Sequence, residues 1–315
     1  MKSVDKIVTA VRLRTRNQDY TYDSATGIYT SGISTDLFLQ FINDAQDHLQ
    51  AILFDCASSL FITSEILNLV DGTAEYKPAV SVYGGVGYIS VHANSASNTT
   101  DFGSPLRMCT PRELRDIKAF PSEWTPVSGY VRLSPIPASS SGCVRARFYG
   151  ELDDLDIRRG KVSGTPTGVS VVLAATGPVP DQYALENADV ICISDAVGNI
   201  MLRNGIVASY TTGTKTIALA ANVSTYLATG YTLASLANGY VTIGENSTTN
   251  SKLPNNCERY LRTYCHKRIM TVDESNTSIE EDEELKKIET ALQAVYAIEN
   301  RDVGEIPTLD GDTAW

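Results

Sequence analysis

The stretch 131-VRLSPIPASSSGCVRARFYG-150 alternates twice. Val131 and Leu133 interleave with Arg132 and Ser134, and Val144, Ala146 and Phe148 interleave with Cys143, Arg145, Arg147 and Tyr149. A period of two puts one row of side chains on a core and the other outside, so each half reads as a half-buried strand. Pro135 and Pro137 give no ladder donor and end the first strand. "ASSSG" then turns the chain, which predicts a hairpin with an arginine row, Arg132, Arg145 and Arg147, facing solvent or a neighbouring subunit. Nothing in this hairpin, nor in what flanks it, offers chemistry.

Outward from it, the chain runs to 315 residues with a net charge of −11 and a pI near 4.8. That length suits two domains, or one with a large insertion. At this size roughly 75% of the unfolded chain's surface can be buried without covalent staples. The acidic balance disfavours unspecific attraction of the whole molecule to nucleic-acid phosphates or anionic lipid. Cysteines at 56, 109, 143, 192, 257 and 265 form no CxxC and no regular spacing, which predicts reduced, packed thiols. The start, "MKSVDKIVTAVRLRTRNQ", has no apolar h-region, and no apolar run is long enough to span a bilayer. Synthesis and folding in a cytoplasm are the expectation.

Three kinds of territory follow. Ser3 can cap a helix to about Arg16, with Val4, Ile7, Val8 and Val11 on one face. "YTYDSATGIYT" reads as a small aromatic hairpin or loop. "GISTDLFLQFINDAQDHLQAILFD" (32–55) gives the cleanest helix, with Phe38, Phe41, Ile42, Ala45, Leu49, Ile52 and Leu53 as its apolar stripe. Asn43, Asp44, Gln46, Asp47 and Gln50 cover the opposite side, as expected of a helix packed on one side only. Residues 60–160 read as β-rich: a strand and Gly turn in "SEILNLVDGTAEYKP", a hairpin in "VSVYGGVGYISVHA", and a short helix in "TPRELRDIKAF" capped by Thr110 with Pro111 at its first position.

Between 164 and 250 only seven residues are charged: Asp181, Glu186, Asp189, Asp195, Arg203, Lys215 and Glu245. The strand-like runs "GVSVVLAA", "DVICIS", "GIVASY", "KTIAL" and "GYVTIG" are separated there by "DAVGN", "RNG" and "TTGT". Short strands at this spacing suggest a small barrel or sandwich. Helix resumes in "LPNNCERYLRTYCHKRIM", whose inner face carries Cys257, Leu261, Tyr264 and Cys265, with His266 on a basic outer face. A second helix, "SIEEDEELKKIETALQAVYAIENRD", opens on a capping box, Ser278 and Glu281. The last stretch, "VGEIPTLDGDTAW", has no periodicity and reads as an extended tail. Its Trp315 would be a strong anchor where a groove receives it, and a disordered tail is the equal alternative.

Candidate chemistry is sparse. His48, His92 and His266 share no metal-ligand spacing, and HExxH and zinc-finger patterns are absent. Cys265 and His266 are adjacent on a helix, so they point about 100° apart and cannot face each other. "ELDDLD" places Glu151, Asp153, Asp154 and Asp156 together; paired acids can do glycoside or metal chemistry, and the blander reading is an acidic linker. "DGDT" lacks the bidentate Glu of a calcium loop, "YGGVGY" leads into a strand rather than a helix, and neither GxSxG nor a Walker loop occurs. No catalytic residue, metal site or cofactor is expected.

In chain order, "IVTAVRLRTRN", "ISTDLFLQFINDAQDHLQ", "NLVDGTAEYKP", "GSPLRMCTPRELRDI", "YVRLSPIPASSSGCVRARFYGELDDL" and "LPNNCERYLRTYCHKRI" resemble the tailed-bacteriophage head-to-tail adaptor (connector) proteins. The resemblance covers about 3–160 and 250–310 and leaves out the charge-poor 164–250. The fold expected is α+β. A helical-bundle core with β-hairpin and strand elements would occupy 1–163 and 251–302, an inserted all-β barrel or sandwich 164–250, and a docking tail 303–315.

The resemblance implies a non-enzymatic structural protein of the virion neck or tail, made in the host cytoplasm. It would form a ring, a dodecamer, below the portal protein, extend the DNA channel, and carry downstream nozzle, tube or fibre proteins. Genomic DNA would pass without sequence-specific binding, and an acidic lining would suit that passage. The tail residues Val303, Ile306, Pro307, Leu309 and Trp315 would dock on the portal, and Arg132, Arg145 and Arg147 would line the channel or a subunit interface. The rival expectation is a β-rich tail protein that contacts a receptor or carbohydrate through 164–250.

Overall fold

The computed structural model describes residues 3–14, 22–23, 28–29, 35–85, 87–95, 102–175, 185–272 and 279–304. The fold is mixed α and β, as the α+β expectation has it, with four α-helices among the described residues. These are α1 (Val4–Arg14), α2 (Thr35–Ala57), α3 (Glu258–Val272) and α4 (Ile279–Gly304). None is long and apolar enough to cross a membrane. The chain divides into two compact units: 1–56 with 152–315, and 57–151.

Unit 57–151 is built from two principal sheets. One has the order Glu75–Tyr76, Tyr130–Ser134, Glu123–Val127, Arg107–Met108; in the other, Cys143–Tyr149 lies between Ile62–Asn68 and Tyr88–Asn94. The alternation seen in 131–150 is real: Val131, Leu133, Val144, Ala146 and Phe148 are buried in one core with Leu69, Tyr76, Val91 and Trp124. The hairpin is not. Its two halves pair in different sheets, because Tyr130–Ser134 already has a neighbour on each side. Between them Ile136–Pro137 pairs in parallel with Lys118–Ala119. Alternation tells which face is buried and says nothing about which strand lies alongside. The true hairpin is Glu123–Val127 with Tyr130–Ser134, turned by Ser128 (φ 48°) and Gly129 (φ 83°), both positive as a twist-matched two-residue turn requires.

Two further expectations fail here. "VSVYGGVGYISVHA" yields one strand, Tyr88–Asn94, after a 3₁₀ turn at Tyr83–Gly85. "TPRELRDIKAF" yields only a 3₁₀ turn, Pro111–Glu113. Glu113 accepts from both the Thr110 amide and hydroxyl, and the Arg115 amide then donates to Ser134 Oγ instead of continuing a helix.

In the other unit α1 and α4 both pack on α3. Cys257, Tyr260, Leu261, Cys265 and Ile269 are fully buried along it. His266, expected on the outer face, is also buried. The aromatic stretch forms an antiparallel pair, Tyr22–Asp23 with Ile28–Tyr29. Ser278, the expected cap of α4, lies outside the described residues.

The charge-poor stretch contributes to a six-stranded sheet in the order Gly160–Lys161, Tyr240–Ile243, Val190–Ser194, Ile200–Thr211, Thr216–Leu219, Ser170–Val172. Its edges meet: Val162 bridges Leu173, the Ser163 amide donates to Val172 O at 2.8 Å, and the Ala174 amide to Lys161 O at 2.7 Å. The sheet thus curls toward a barrel around Ile191, Ile193, Leu202, Val207, Ile217 and Val241. "RNG", expected to separate strands, lies inside one. Asn204 takes a positive φ of 54° there, a conformation Asn tolerates, and the strand passes through an irregular register instead of turning.

Candidate functional site

Two of the "ELDDLD" acids, Asp153 and Asp156, are fastenings; burial, then Asp47 and Asp153, push the Asp154 carboxyl above its ordinary value. The Asp153 carboxylate meets Arg203 at 3.3 Å and also Lys252. Asp156 accepts from Arg159 Nε at 3.0 Å, from the Ile243 amide at 2.7 Å and from the Ile157 amide at 2.8 Å. Burial pushes the Asp156 carboxyl above its ordinary value, while Arg159 and the amides pull it back. Arg159 reaches Asp36 as well, at 3.4 Å.

The polar side of α2 completes this junction. Gln46 and Gln50, expected in solvent, are 1% and 2% exposed. Asn43 holds Leu155 in both directions: its Nδ2 donates to Leu155 O at 3.2 Å, and the Leu155 amide donates to its Oδ1 at 2.7 Å. Gln46 Nε2 donates to Asp153 O at 3.0 Å, and Ser251 Oγ donates to Gln46 Oε1. Gln50 Oε1 accepts from the Leu152 amide at 3.2 Å. The segment 152–155 forms no regular ladder, so side-chain amides satisfy most of these backbone groups, while Asp154 O takes the Thr248 amide at 2.7 Å. A polar helix face therefore does not imply an exposed one.

The three arginines singled out in the sequence part company. Arg132 lies in the four-stranded sheet and pairs with Glu75 at 3.2 Å and Asp116 at 3.3 Å. Arg145 and Arg147 share one face of the three-stranded sheet, in register with Ile66 and His92, and with Ser64 and Ser90. Arg145 stacks 4.7 Å from the Phe102 ring centroid. Among the described residues neither Arg145 nor Arg147 has an ion-pair partner.

Where α1, α3 and α4 come together, Glu284 pairs with Arg259 at 3.0 Å and Arg14 at 3.4 Å. Arg259 first, then Arg14, holds its carboxyl below the usual range. Tyr260, fully buried on α3, sits between His48 Nδ1 (2.5 Å) and Glu289 Oε1 (3.1 Å), tying α2, α3 and α4. That tie was not foreseen; His48, Tyr260 and Glu289 are too far apart in sequence to signal it. Burial pushes the Cys257 thiol up to about 11. None of the six cysteines, all among the described residues, is in a disulfide, and five are buried. Among the described residues no group of His, Cys, Asp and Glu could hold a metal ion.

Of the expected docking residues, Val303 is in the last turn of α4, which runs to Gly304. Ile306, Pro307, Leu309 and Trp315 lie outside the described residues.

A fold in which Asp153 and Asp156 are tied to arginines, and two arginines without an ion-pair partner among the described residues lie on a sheet face, is one of surfaces. The family model of the SU10 adaptor protein matches residues 2–185, more than half the chain. The chain belongs to this phage head-to-tail adaptor family. The matched span takes in α1, α2, the 152–159 crossover and all of 57–151, and it ends among the strands of the curled sheet; Arg203, Ile243, Ser251, Lys252, α3 and α4 lie beyond it. No curated protein matches the chain.

Proposed function

We propose that this phage structural adaptor is a non-enzymatic component of the virion neck that assembles side by side into a dodecameric ring below the portal protein. The ring extends the DNA conduit and presents a platform for the tail proteins that follow. Residues 1–163 and 251–302 act as the ring-forming core, a helical bundle carrying β elements. Residues 164–250 are an inserted barrel-like domain for attachment, and 303–315 dock on the portal through Val303, Ile306, Pro307, Leu309 and Trp315. Arg145 and Arg147 face a neighbouring subunit; Arg132, already paired with Glu75 and Asp116, contributes less.

Family membership over residues 2–185 carries the reading. Two features support it. Asp153 and Asp156 are neutralised by Arg203, Lys252 and Arg159, which suits a structural role. The net charge of −11 suits a conduit that duplex DNA passes without sticking. The test is co-sedimentation with portal rings. The full chain is expected to bind, and a chain ending at 302 is expected to stay folded and not bind. Equal binding by both would remove the tail from the docking role.

A further inference from the structure

The strand Ile62–Asn68 lies at the margin of the three-stranded sheet, with Cys143–Tyr149 on one side of it. Two bonds fix which of its groups point there. The Gly150 amide donates to Phe61 O at 2.8 Å and the Leu69 amide to Gly142 O at 3.1 Å, both continuing the register of the ladder. Bonded and non-bonded pairs alternate in an antiparallel ladder, so Thr63, Glu65 and Leu67 bond to Cys143–Tyr149. Ile62, Ser64, Ile66 and Asn68 turn their main-chain groups the other way. The Ile62 amide closes the preceding turn on Ser59 O. Among the described residues no partner meets the amides and carbonyls of Ser64, Ile66 and Asn68.

Strand margins that stay unpaired are protected by Lys, Pro or a bulge. ITSEILN has none of these: it pairs without a register shift, and its single charge, Glu65, is spent on the Ala79 and Val80 amides. Leu60, Ile62 and Val70, within the strand and at its ends, are 40%, 38% and 49% exposed. Alternating donors and acceptors at this spacing are met by another extended backbone, so the occupant is a polypeptide strand. On one face that strand lies beside the row that holds Ser64, Ile66, Arg145 and Arg147. Arg145 is stacked on Phe102, whereas Arg147 is exposed beside Ser64. An added strand lies two strand spacings, about 10 Å, from the Arg147 backbone. A guanidinium and a carboxylate side chain close that span together over the small Ser64. A second copy of the chain supplies the carboxylate: residues 57–151 are balanced in charge, and the whole −11 belongs to the rest.

We propose that Ile62–Asn68 receives an extended segment of a neighbouring copy, drawn from its acidic part, which adds a fourth strand to the sheet and sets a carboxylate against Arg147. This rests on the side-by-side assembly proposed above and names the surface that carries it.

The experiment follows amide exchange of the full chain, residue by residue, at low and high protein concentration, alongside sedimentation velocity. In the dilute chain the Ser64, Ile66 and Asn68 amides are expected to exchange several-fold faster than those of Thr63, Glu65 and Leu67. At high concentration they are expected to slow several-fold as the sedimentation coefficient rises. Ser64→Pro removes an outward amide and leaves the ladder intact. It is expected to weaken association several-fold with Thr63, Glu65 and Leu67 still protected, as is Arg147→Glu, while Ser64→Ala associates like the parent. Protection of Ser64, Ile66 and Asn68 in the dilute monomer overturns the proposal, because the chain then covers its own margin. Association untouched by Ser64→Pro or by Arg147→Glu, or a chain that stays monomeric, overturns it too. Such a failure in a chain that still caps portal rings leaves the adaptor reading standing. Association through this strand by a chain that caps no portal removes that reading and leaves the strand pairing.

Discussion

The two compact units hold charge differently. Residues 57–151 carry eight Lys or Arg and eight Asp or Glu; the remainder carries 18 and 29, so the whole −11 falls outside 57–151. The neutral unit is assembled by alternation: apolar rows of its sheets meet in one core, and its ion pairs, such as Arg132 with Glu75 and Lys118 with Asp71, are at the surface. The acidic unit is assembled partly by buried polar groups, with Asp153, Asp156, Arg159 and the amides of α2 holding the 152–159 crossover. Exposed ion pairs contribute little and tolerate change, whereas a buried pair is costly to halve. The acidic unit therefore depends on a few individual polar side chains, and the neutral one on its packing.

Asp156→Ala strikes that difference hardest. It takes the nearest carboxylate from Arg159, leaving it Asp36 at 3.4 Å, and removes the acceptor of the Ile243 and Ile157 amides, and a loss of about 3–5 kcal/mol is expected in urea unfolding. Adding Arg159→Met to Asp156→Leu should recover much of that loss, because an apolar pair removes a buried guanidinium that has lost its nearest carboxylate. Phe148→Ala, in the neutral unit, should cost a similar ~3–5 kcal/mol through a cavity. No change at a charged partner would be expected to repair it. Full rescue of Phe148→Ala by a surface charge, or no rescue of the Asp156 variant, would erase the contrast.

Gln46→Ala comes next. It leaves the Asp153 carbonyl without its donor and Ser251 without its acceptor, at about 1–3 kcal/mol. The smallest effect is at Glu284. Arg259 and Arg14 depress its folded pKa, so its contribution is present above the ordinary carboxylate value of 4.5 and is lost as pH falls through the folded value. With the side chain 30% exposed, solvent screening limits the contribution to at most about 1 kcal/mol. Glu284→Gln should be that much less stable than the parent at pH 7 and indistinguishable from it once the parent's carboxyl is protonated. A native thiol titration adds a check without energy: Cys56, half-buried, should react first, and the five buried thiols only on unfolding.

What could be read from sequence follows the same division. The strands of 164–250 were legible because short runs of Val and Ile between Gly, Asn and Asp turns carry their own signal, and Val190–Ser194, Thr216–Leu219 and Tyr240–Ile243 lie within the runs that predict them. The helices α2 and α3 were legible from their stripes. Pairing was not, since Leu133 and Phe148 alternate identically while belonging to different sheets. The junction was not legible either. Gln46 and Gln50 look like solvent-facing residues until a backbone segment a hundred residues later presents groups that need partners.

Ring formation tests the adaptor reading most directly. Purified chain mixed with portal rings, viewed by negative-stain microscopy, should add a closed layer of twelve subunits to one end of each portal, and a chain lacking 303–315 should leave the portals bare. Monomers that never form or cap a ring, with the full-length chain intact and folded, would contradict it.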